Sequence, residues 1–427
     1  MCELRASEGK ILYRRLIIDS MKDAGFSFNS EDSMAILKWY DNLKKIDFFS
    51  SLKPWQITNR LPKVNVICRK APLVRLIQRT SVFYPFNFDF FPKSYIIPIQ
   101  EDILREEVKR GDTRYIVKPD RGSLGNGITF IEPGEEYPEV LKLSVVQEYV
   151  PSHHLDGYKF DLRIYALVSS VNPLKIYVFR DGVARFCSKK YGEKSVYSEL
   201  TNKALNSKNP EVDFDQIIKM VSKVFNRLES EGVNTKELWK QIDDAIVTTI
   251  ITSYKYLVDG EVQLCPKRGI NRCFQILGFD VILTKDMKPV VLEVNYRPSL
   301  QSNSKIERAM KSKMLKEAME IVSPGAEFQK YVMDHISENL EDRWDYLLQN
   351  DPELIDIIRL IEQRDFCEYG SYNRAYPCSY SELMQKYNKM ISTVLRMPSD
   401  YRSKYFLPPL VKIKRTNEPV SSPNNTM

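Results

Sequence analysis

The stretch FDVILTKDMKPVVLEVN, residues 279–295, decides how this chain folds. Two short apolar runs flank a turn at Lys285–Lys288, and that pattern predicts a hairpin of two buried strands. Asp280 and Glu293 interrupt the runs, and a buried carboxylate is costly unless a cation or hydrogen-bond donors face it. Because Mg²⁺ prefers oxygen ligands, Asp280, Glu293 and Asn295 are candidate metal ligands. The alternative for each is a structural group held by hydrogen bonds.

A glycine-rich segment lies earlier in the chain, in IVKPDRGSLGNGI at residues 116–128. It predicts a strand that ends in Lys118 and a loop that carries Gly122, Gly125 and Gly127. Glycine lets backbone N–H groups approach phosphate oxygens, and the lysine adds a positive charge. The lysine precedes the glycines, so the segment is not a Walker A loop. An ordinary glycine turn between two strands is the alternative.

The segment KFDLRIY at residues 159–165 carries three charges at alternate positions. In a strand, Lys159, Asp161 and Arg163 share one face, while the apolar residues between them share the other. Arg185 follows on another predicted strand and adds a second guanidinium. This row is a candidate for chemistry, and a solvent-exposed ladder of salt bridges is the alternative.

The apolar segment VVQEYV at residues 145–150 has polar residues just before its end. As a strand, it is a candidate for presenting backbone groups to the edge of an adenine ring. An ordinary sheet strand is the alternative.

Composition excludes several classes of protein. The chain has 427 residues, which predicts roughly two to three domains, and 43% of them are hydrophobic, which excludes wholesale disorder. No apolar run approaches the roughly 18–20 residues that span a bilayer. Seven cysteines without a CxxC pair and only three histidines favour reduced thiols over a disulfide framework or a zinc site. These features predict a soluble intracellular protein.

Positive charge is concentrated near the N-terminus. The formal charge is +7, and residues 1–118 hold 21 Lys and Arg against 14 Asp and Glu, while the remaining residues hold 42 of each. Between Asp47 and Asp89 there is no acidic residue. This acid-free stretch predicts an electrostatic landing site for a polyanion, either nucleic acid or an acidic peptide. A solvated face without a partner is the alternative.

Taken in order, these segments resemble the tubulin tyrosine ligase-like family, whose architecture is ATP-grasp. The segments that carry the resemblance are KPDRGSLGNGI, VVQEYV, DGYKFDLRIYALV, PLKIYVFRDGVARF, ELTNKALN and FQILGFDVILTKDMKPVVLEVNYRPSL. NRLPKVNVICRK and FNFDFFPKSYIIP resemble the N-terminal region of the family. The resemblance spans roughly residues 50–325 and is closest to the polyglutamylase branch.

The resemblance implies an α/β (α+β) fold of ATP-grasp type with a basic N-terminal domain and a helical C-terminal extension. The predicted divisions are a basic N-terminal domain at 1–105, a central ATP-grasp domain at 106–160, a C-terminal ATP-grasp domain at 161–325 with a helical insertion at about 212–258, and a helical extension with a polar tail at 326–427. Periodicity alone also predicts an early strand at Lys10–Ile18 and a break in the helical insertion at 232–234.

The resemblance also assigns roles to individual residues. The expected catalytic residues are Arg163, Arg185 and Asp161, with the two arginines at the γ-phosphate and the acyl phosphate. The expected nucleotide-binding residues are Lys118, Gly122, Gly125, Gly127, Gln147, Glu148, Tyr149, Val150, Lys159, Asp161, Thr201 and Asn202, with Gln147 and Tyr149 at the adenine. The expected Mg²⁺ ligands are Asp280, Glu293 and Asn295.

The implied activity is ATP-dependent addition of glutamate to the acidic C-terminal tail of tubulin. Phosphorylation gives the acceptor carboxylate a leaving group, and the incoming α-amine then displaces it. The implied partners are tubulin or the microtubule, free glutamate and an accessory protein, without a membrane or nucleic acid. The implied location is the cytoplasm and cytoskeleton, including cilium or basal body. Glycine ligation, or tubulin-tail binding with weak catalysis, is the alternative.

The chain departs from the family pattern at three places. Glu199 precedes Leu-Thr-Asn where histidine is common, and a carboxylate there is expected to repel phosphate and slow turnover. Tyr296 and Arg297 follow Asn295 where a small second residue is common, which is expected to alter amino-acid selection. Residues 326–427 hold 13 basic and 15 acidic side chains, which predicts weak independent binding to the microtubule lattice.

Overall fold

The structure is a computed structural model. It describes residues 4–8, 12–28, 35–122, 125–138, 142–193, 195–207, 209, 214–264, 270, 273–335, 339–364, 366, 368–401 and 404–410. Among these residues, no helix is both long enough and apolar enough to cross a membrane.

The strands are given first, in chain order. They are β1 Leu4–Glu8, β2 Phe26–Phe28, β3 Leu37–Trp39, β4 Ile57–Thr58, β5 Ser94–Ile97, β6 Tyr115–Pro119, β7 Thr129–Ile131, β8 Ser144–Glu148, β9 His154–Leu155, β10 Tyr158–Val171, β11 Leu174–Phe186, β12 Ile218–Met220, β13 Gln275–Leu283, β14 Pro289–Asn295, β15 Glu368–Tyr369 and β16 Tyr372–Tyr376.

The helices follow in the same order. They are α1 Arg14–Asp23, α2 Ile46–Ser50, α3 Asn65–Cys68, α4 Lys70–Ser81, α5 Glu101–Lys109, α6 Val196–Glu199, α7 Lys203–Asn206, α8 Phe214–Ile217, α9 Val221–Ser230, α10 Thr235–Leu264, α11 Lys305–Val322, α12 Ala326–His335, α13 Leu340–Asn350, α14 Pro352–Gln363 and α15 Ser381–Arg396.

Within the described residues, the strands form three sheets. The N-terminal sheet is parallel, in the order β2-β1-β3-β4. The middle sheet is antiparallel, in the order β5-β8-β6-β7. The large sheet is antiparallel, in the order β14-β13-β10-β11-β16-β15, with β9 beside β10 and β12 beside β11. Helices combined with parallel and antiparallel sheets confirm the predicted α/β class.

Both faces of the large sheet are buried, because helices cover it on either side. Along β10, Phe160, Leu162 and Ile164 pack in the main core, which also contains side chains of α4, α10 and α15. Tyr165 and Leu167 point to the opposite face and pack in a second core with side chains of α1 and α11. The period-two alternation expected of a strand therefore divides β10 between two cores.

The helical insertion predicted at about 212–258 lies in the protein interior. Its longest helix, α10, places Ile242, Ile246 and Ile250 in the main core, each fully buried. Their spacing of four residues puts them on one helix face. The predicted break at 232–234 separates α9 from α10.

The strand predicted at Lys10–Ile18 is wrong, because the described part of this segment leads into the helix α1. Leu16, Ile17, Ser20 and Met21 are buried there, and residues three or four apart lie on one face of a helix. The strand of this region is β1, which lies earlier in the chain.

The C-terminal region is mainly helical, and it also completes the large sheet. After α14 the chain forms β15 and β16, and β16 pairs with β11 along Ile176–Phe179. The sequence analysis did not anticipate these strands. The polar tail at 411–427 lies outside the described residues.

The acid-free N-terminal stretch does not form an exposed basic surface. Arg60, Arg75 and Arg79 are buried, with 4%, 5% and 2% of their surfaces exposed. Lys53 forms an ion pair with Glu341 from α13. Much of the positive charge of this stretch therefore lies in the interior or in ion pairs, while Arg60, Arg69 and Lys70 line a cleft, and the landing site for a polyanion stays a prediction.

We expect the substitution Ile250→Ala to lower the free energy of unfolding by about 2–5 kcal/mol, because it leaves a cavity in the main core. Val262→Ala on the same helix is the matched control. Val262 is 67% exposed, so its truncation is expected to change the free energy by less than about 0.5 kcal/mol. Urea unfolding followed by circular dichroism measures both, and equal losses would contradict the buried position of α10.

Candidate functional site

A large cleft opens where the large sheet meets the glycine-rich loop and α11. Its volume is about 1060 Å³, which is at the upper end of the range for small-molecule sites. The predicted site residues that line it are Lys118, Gly122, Gly125, Lys159, Asp161, Arg163, Arg185, Thr201, Asn202, Asp280, Glu293 and Asn295. The predicted residues outside its lining are Gly127, Gln147, Glu148, Tyr149 and Val150.

The floor of the cleft is a row of charges that antiparallel pairing brings together. Asp161 on β10 lies opposite Arg185 on β11, and Arg163 on β10 lies opposite Asp280 on β13. Asp280 in turn lies opposite Glu293 on β14. Side chains directly opposite each other on neighbouring strands are close enough to contact. Four strands therefore bring two guanidinium groups and three carboxylates to one face of the sheet.

Arginine forks hold both aspartates of this row. Arg163 donates from Nε and Nη2 to the two carboxylate oxygens of Asp280, at 2.6 and 3.1 Å. Arg185 donates from Nε and Nη2 to the two oxygens of Asp161, at 2.7 and 2.6 Å, and its Nη2 also lies 2.9 Å from Asp280 Oδ2. Such bidentate contacts are the strongest hydrogen-bonded ion pairs available to a carboxylate.

These arginines keep Asp280 ionised in spite of its burial. Burial favours the neutral acid, but the charges of Arg163 and Arg185 outweigh it and hold the pKa of Asp280 well below its usual range. The same contacts outweigh burial at the arginines and raise the pKa of each guanidinium. Guanidinium groups from the neighbouring strands therefore offset the cost of burying the Asp280 carboxylate.

The candidate metal ligands have protein partners of their own. Glu293 accepts a hydrogen bond from Asn295 Nδ2 at 3.3 Å, and its Oε2 lies 3.6 Å from Lys70 Nζ. Across the described ranges of the chain, no group of three His, Cys, Asp or Glu residues is arranged to hold a metal. Two carboxylates and an amide nevertheless match the donors of a Mg²⁺ ion that takes its other ligands from phosphates and water.

Two lysines face the cleft from different strands, Lys159 buried and Lys118 half-buried. Lys118 Nζ donates to Gln147 Oε1 at 2.7 Å, and Lys159 Nζ donates to the Tyr149 hydroxyl at 2.5 Å. Burial lowers the pKa of Lys118 to about 8 and the pKa of Lys159 to about 8 as well. Strongly shifted lysines in one cleft indicate a functional site, because an anionic ligand would restore their full charge.

The glycine-rich loop has the backbone that its glycines predict. Gly125 and Gly127 have φ angles of +81° and +72°, in the left-handed region that other residues rarely adopt. A Cβ atom on Gly125 would also lie 3.3 Å from Asn202 Oδ1. Thr201, beside that asparagine, donates from its hydroxyl to Asp161 Oδ2 at 2.6 Å. The loop and the Thr201–Asn202 segment therefore meet over the charged row.

The start of α4 anchors this loop through residues that the sequence analysis had not assigned to the site. The Asp120 carboxylate accepts hydrogen bonds from Arg69 Nε at 3.0 Å and from the Ala71 N–H at 2.9 Å. Lys70 Nζ donates to the Gly122 carbonyl at 2.9 Å. Both basic residues belong to the acid-free stretch, so the charge signal was present in the sequence, where it predicted a landing site for a polyanion.

The end of β8 lies beside the cleft and is fixed by its backbone. The N–H groups of Glu148 and Tyr149 donate to the carbonyls of Lys93 and Arg114, each at 2.9 Å. Gln147 lines a small neighbouring cavity with Lys118. The structure thus brings the predicted phosphate and metal residues together and places the predicted adenine residues next to them.

Comparison with known proteins matches residues 49–330 to the tubulin-tyrosine ligase family. The chain is 31% identical over 315 residues to tubulin polyglutamylase TTLL6 of Mus musculus, covering 70% of this chain and 38% of that protein. It is 29% identical over 440 residues to tubulin polyglutamylase TTLL7 of Homo sapiens, covering 90% of this chain and 48% of that protein. It is 32% identical over 333 residues to tubulin polyglutamylase TTLL13 of Mus musculus, covering 73% of this chain and 40% of that protein. The chain therefore spans less than half the length of these relatives.

We expect Arg163→Met to lower the free energy of unfolding by about 3–5 kcal/mol, because it leaves the buried Asp280 carboxylate with one guanidinium fewer. Arg359→Met is the matched control. Arg359 pairs with Asp356 on the surface, and its side chain is 60% exposed, so its loss is expected to cost less than about 1 kcal/mol. Urea unfolding at pH 7 measures both variants, and a small loss for Arg163→Met would contradict the structural importance of the row.

Proposed function

Because this chain belongs to the tubulin-tyrosine ligase family, we propose that it is an ATP-dependent ligase that adds glutamate to glutamate side chains or chains in the acidic C-terminal tail of tubulin. The relatives reported above carry the name tubulin polyglutamylase, which supports glutamate over glycine as the amino acid. The observation that carries the proposal is the cleft itself, where two lysines, two arginine forks and a glycine-rich loop converge.

The cleft suits the triphosphate of ATP. Lys118 and Lys159 supply positive charge, and the left-handed backbone at Gly125 and Gly127 lets N–H groups approach phosphate oxygens. Thr201 and Asn202 line the same part of the cleft, next to the glycine-rich loop. The adenine would lie against the end of β8, at Gln147–Val150.

The hairpin supplies the oxygen donors that a magnesium ion needs. Glu293 would be the leading ligand, since 32% of its side chain is exposed, and Asp280 and Asn295 lie beside it. A bound Mg²⁺ would neutralise charge on the transferred phosphoryl group.

The arginine row suits the carboxylate chemistry of the reaction. Transfer of the γ-phosphoryl group of ATP to the acceptor carboxylate gives an acyl phosphate and ADP. The α-amine of glutamate then attacks the acyl carbon, loses a proton and displaces inorganic phosphate, which leaves an amide bond. Arg163 and Arg185 line the cleft and would stabilise the negative charge that develops on the phosphoryl and acyl oxygens.

The proposed partners follow from this activity. They are free glutamate, tubulin or the microtubule, and an accessory protein that strengthens the interaction with the lattice. The proposed location is the cytoskeleton and cytoplasm, including cilium or basal body.

Incubation with tubulin and ATP–Mg²⁺ in the presence of labelled glutamate, glycine or tyrosine tests the proposal. We expect label from glutamate, reduced at least about 100-fold in Glu293→Gln because the metal loses its leading ligand. Glu229→Gln, an exposed carboxylate on α9, is the matched control and is expected to keep the activity. Incorporation of glycine instead of glutamate would show that the protein is a glycine ligase. Tubulin binding without any incorporation would favour a binding protein over a ligase.

We expect the affinity for a non-hydrolysable ATP analogue to weaken as the pH rises through about 8. Lys118 and Lys159 have pKa values of about 8 in the free protein, and a bound polyanion raises both. Above pH 8 binding therefore takes up protons, and the dissociation constant is expected to increase by up to about tenfold per pH unit for each lysine. Below about pH 7 the affinity is expected to level off. Titration calorimetry from pH 6.5 to 9.5 measures this profile, and a flat profile would contradict the role of the lysines.

A further inference from the structure

Glu199, which was expected to repel phosphate, lines the cleft but does not present an unpaired charge to it. It lies at the end of α6, and its side chain is 12% exposed. Its carboxylate accepts hydrogen bonds from Arg114 Nη1 at 2.9 Å and from the Tyr149 hydroxyl. The negative charge is therefore balanced by a guanidinium, and the effect of Glu199 on phosphate binding stays a prediction.

Tyr149 connects this carboxylate to the cleft. Its hydroxyl donates to Glu199 and accepts from Lys159 Nζ at 2.5 Å. The Arg114 guanidinium lies 4.6 Å from the centre of its ring, and Phe130 packs edge-on against the same ring at 5.9 Å. Burial and the Glu199 carboxylate raise the pKa of Tyr149, so the phenol keeps the proton that it donates.

The result is a chain of hydrogen bonds with a fixed direction. Lys159 donates to Tyr149, Tyr149 donates to Glu199, and Arg114 donates to Glu199 from the other side. A phenol has one proton, so a carboxylate that accepts it leaves the oxygen lone pairs to the lysine. The four groups come from β10, the end of β8, α6 and the residue before β6, so these hydrogen bonds fix the four segments to one another.

We propose that Glu199 is a positioning residue that holds the Lys159 ammonium in the cleft through the Tyr149 hydroxyl. The consequence for nucleotide binding rests on the proposed function, whereas the positioning itself is a property of the protein without ligand. The residue that departs from the family pattern thus lines the cleft and positions one of its lysines.

The charge of Glu199 also favours the protonated form of Lys159. Burial lowers the pKa of Lys159 to about 8, and Glu199 is among the groups that act in the opposite direction. The charged and titratable groups around Lys159, besides Tyr149, are Arg114, Lys118, His154, Asp161, Cys187 and Glu199. Loss of the Glu199 charge would therefore let Lys159 release its proton at a lower pH.

The test is the pH dependence of the acetylation of Lys159 by acetic anhydride, a small reagent that reacts with the unprotonated amine. Mass spectrometry follows the reaction on the full chain without ligand. In Glu199→Gln the midpoint of this profile is expected to fall by on the order of one pH unit. Tyr149→Phe removes the connecting hydroxyl and is expected to shift the midpoint in the same direction. With Tyr149→Phe already present, Glu199→Gln is expected to add less than half of its own shift, because the two act through one path.

Two variants serve as matched controls. Glu132 pairs with the other side of Arg114 at 2.7 Å, so Glu132→Gln removes a carboxylate from the same guanidinium and is expected to leave the midpoint unchanged. Glu199→Asp keeps the charge, and the midpoint of its profile is expected to stay close to that of the unaltered protein. If Glu199→Gln does not fold, the comparison of Glu199→Asp with Tyr149→Phe decides. Equal shifts in Glu199→Gln and Glu132→Gln, or a lower melting temperature without any shift, would overturn the proposal.

Binding of the ATP analogue by the same variants separates this inference from the proposed function. If both hold, the pH at which affinity begins to weaken is expected to move down with the Lys159 midpoint in Glu199→Gln. If the analogue does not bind the unaltered protein at any pH, the proposed function fails. The pH profile of the Lys159 reaction would still decide the role of Glu199 in that case.

Discussion

The pairing of Asp161 and Asp280 with Arg185 and Arg163 is the constraint on which the site depends. Two carboxylates interrupt buried strands, and without these guanidinium groups their burial would cost several kcal/mol each. The contacts require β11, β10 and β13 to stay in one register, because a slip by one residue would turn each side chain to the opposite face. The same ion pairs that make burial tolerable therefore align the floor of the cleft.

The rest of the cleft is built outward from this row. Thr201 donates to Asp161 and so brings its loop over the floor, while Asp120 fixes the glycine-rich loop to the start of α4. Lys118 and Lys159 enter from two different sheets, and burial weakens their hold on their protons. Without a ligand the cleft carries concentrated positive charge that its own carboxylates balance only in part, which is the electrostatic condition for binding a polyanion.

The parts of the molecule that could be predicted from the sequence are those whose pattern is local. The hairpin at 279–295 and the alternation at 159–165 follow from apolar periodicity, and the turn at Gly125 follows from its conformational freedom. The burial of Arg75 and Arg79 could not be predicted, because charge in a sequence does not reveal whether a side chain is covered. Covering elements come from distant segments: Arg79 donates to Tyr256 of α10 and to the Pro398 carbonyl. The pairing of β16 with β11 was missed for the same reason.

Glu199 illustrates how a departure from a family pattern should be weighed. In the sequence it stands beside Thr201 and Asn202, so a carboxylate there seemed to oppose phosphate. In the fold, its carboxylate is paired with Arg114 and connected through the Tyr149 hydroxyl to Lys159. The effect of a substitution is set by the groups that face the new side chain, because electrostatic interactions fall with distance in space and are blind to distance along the chain.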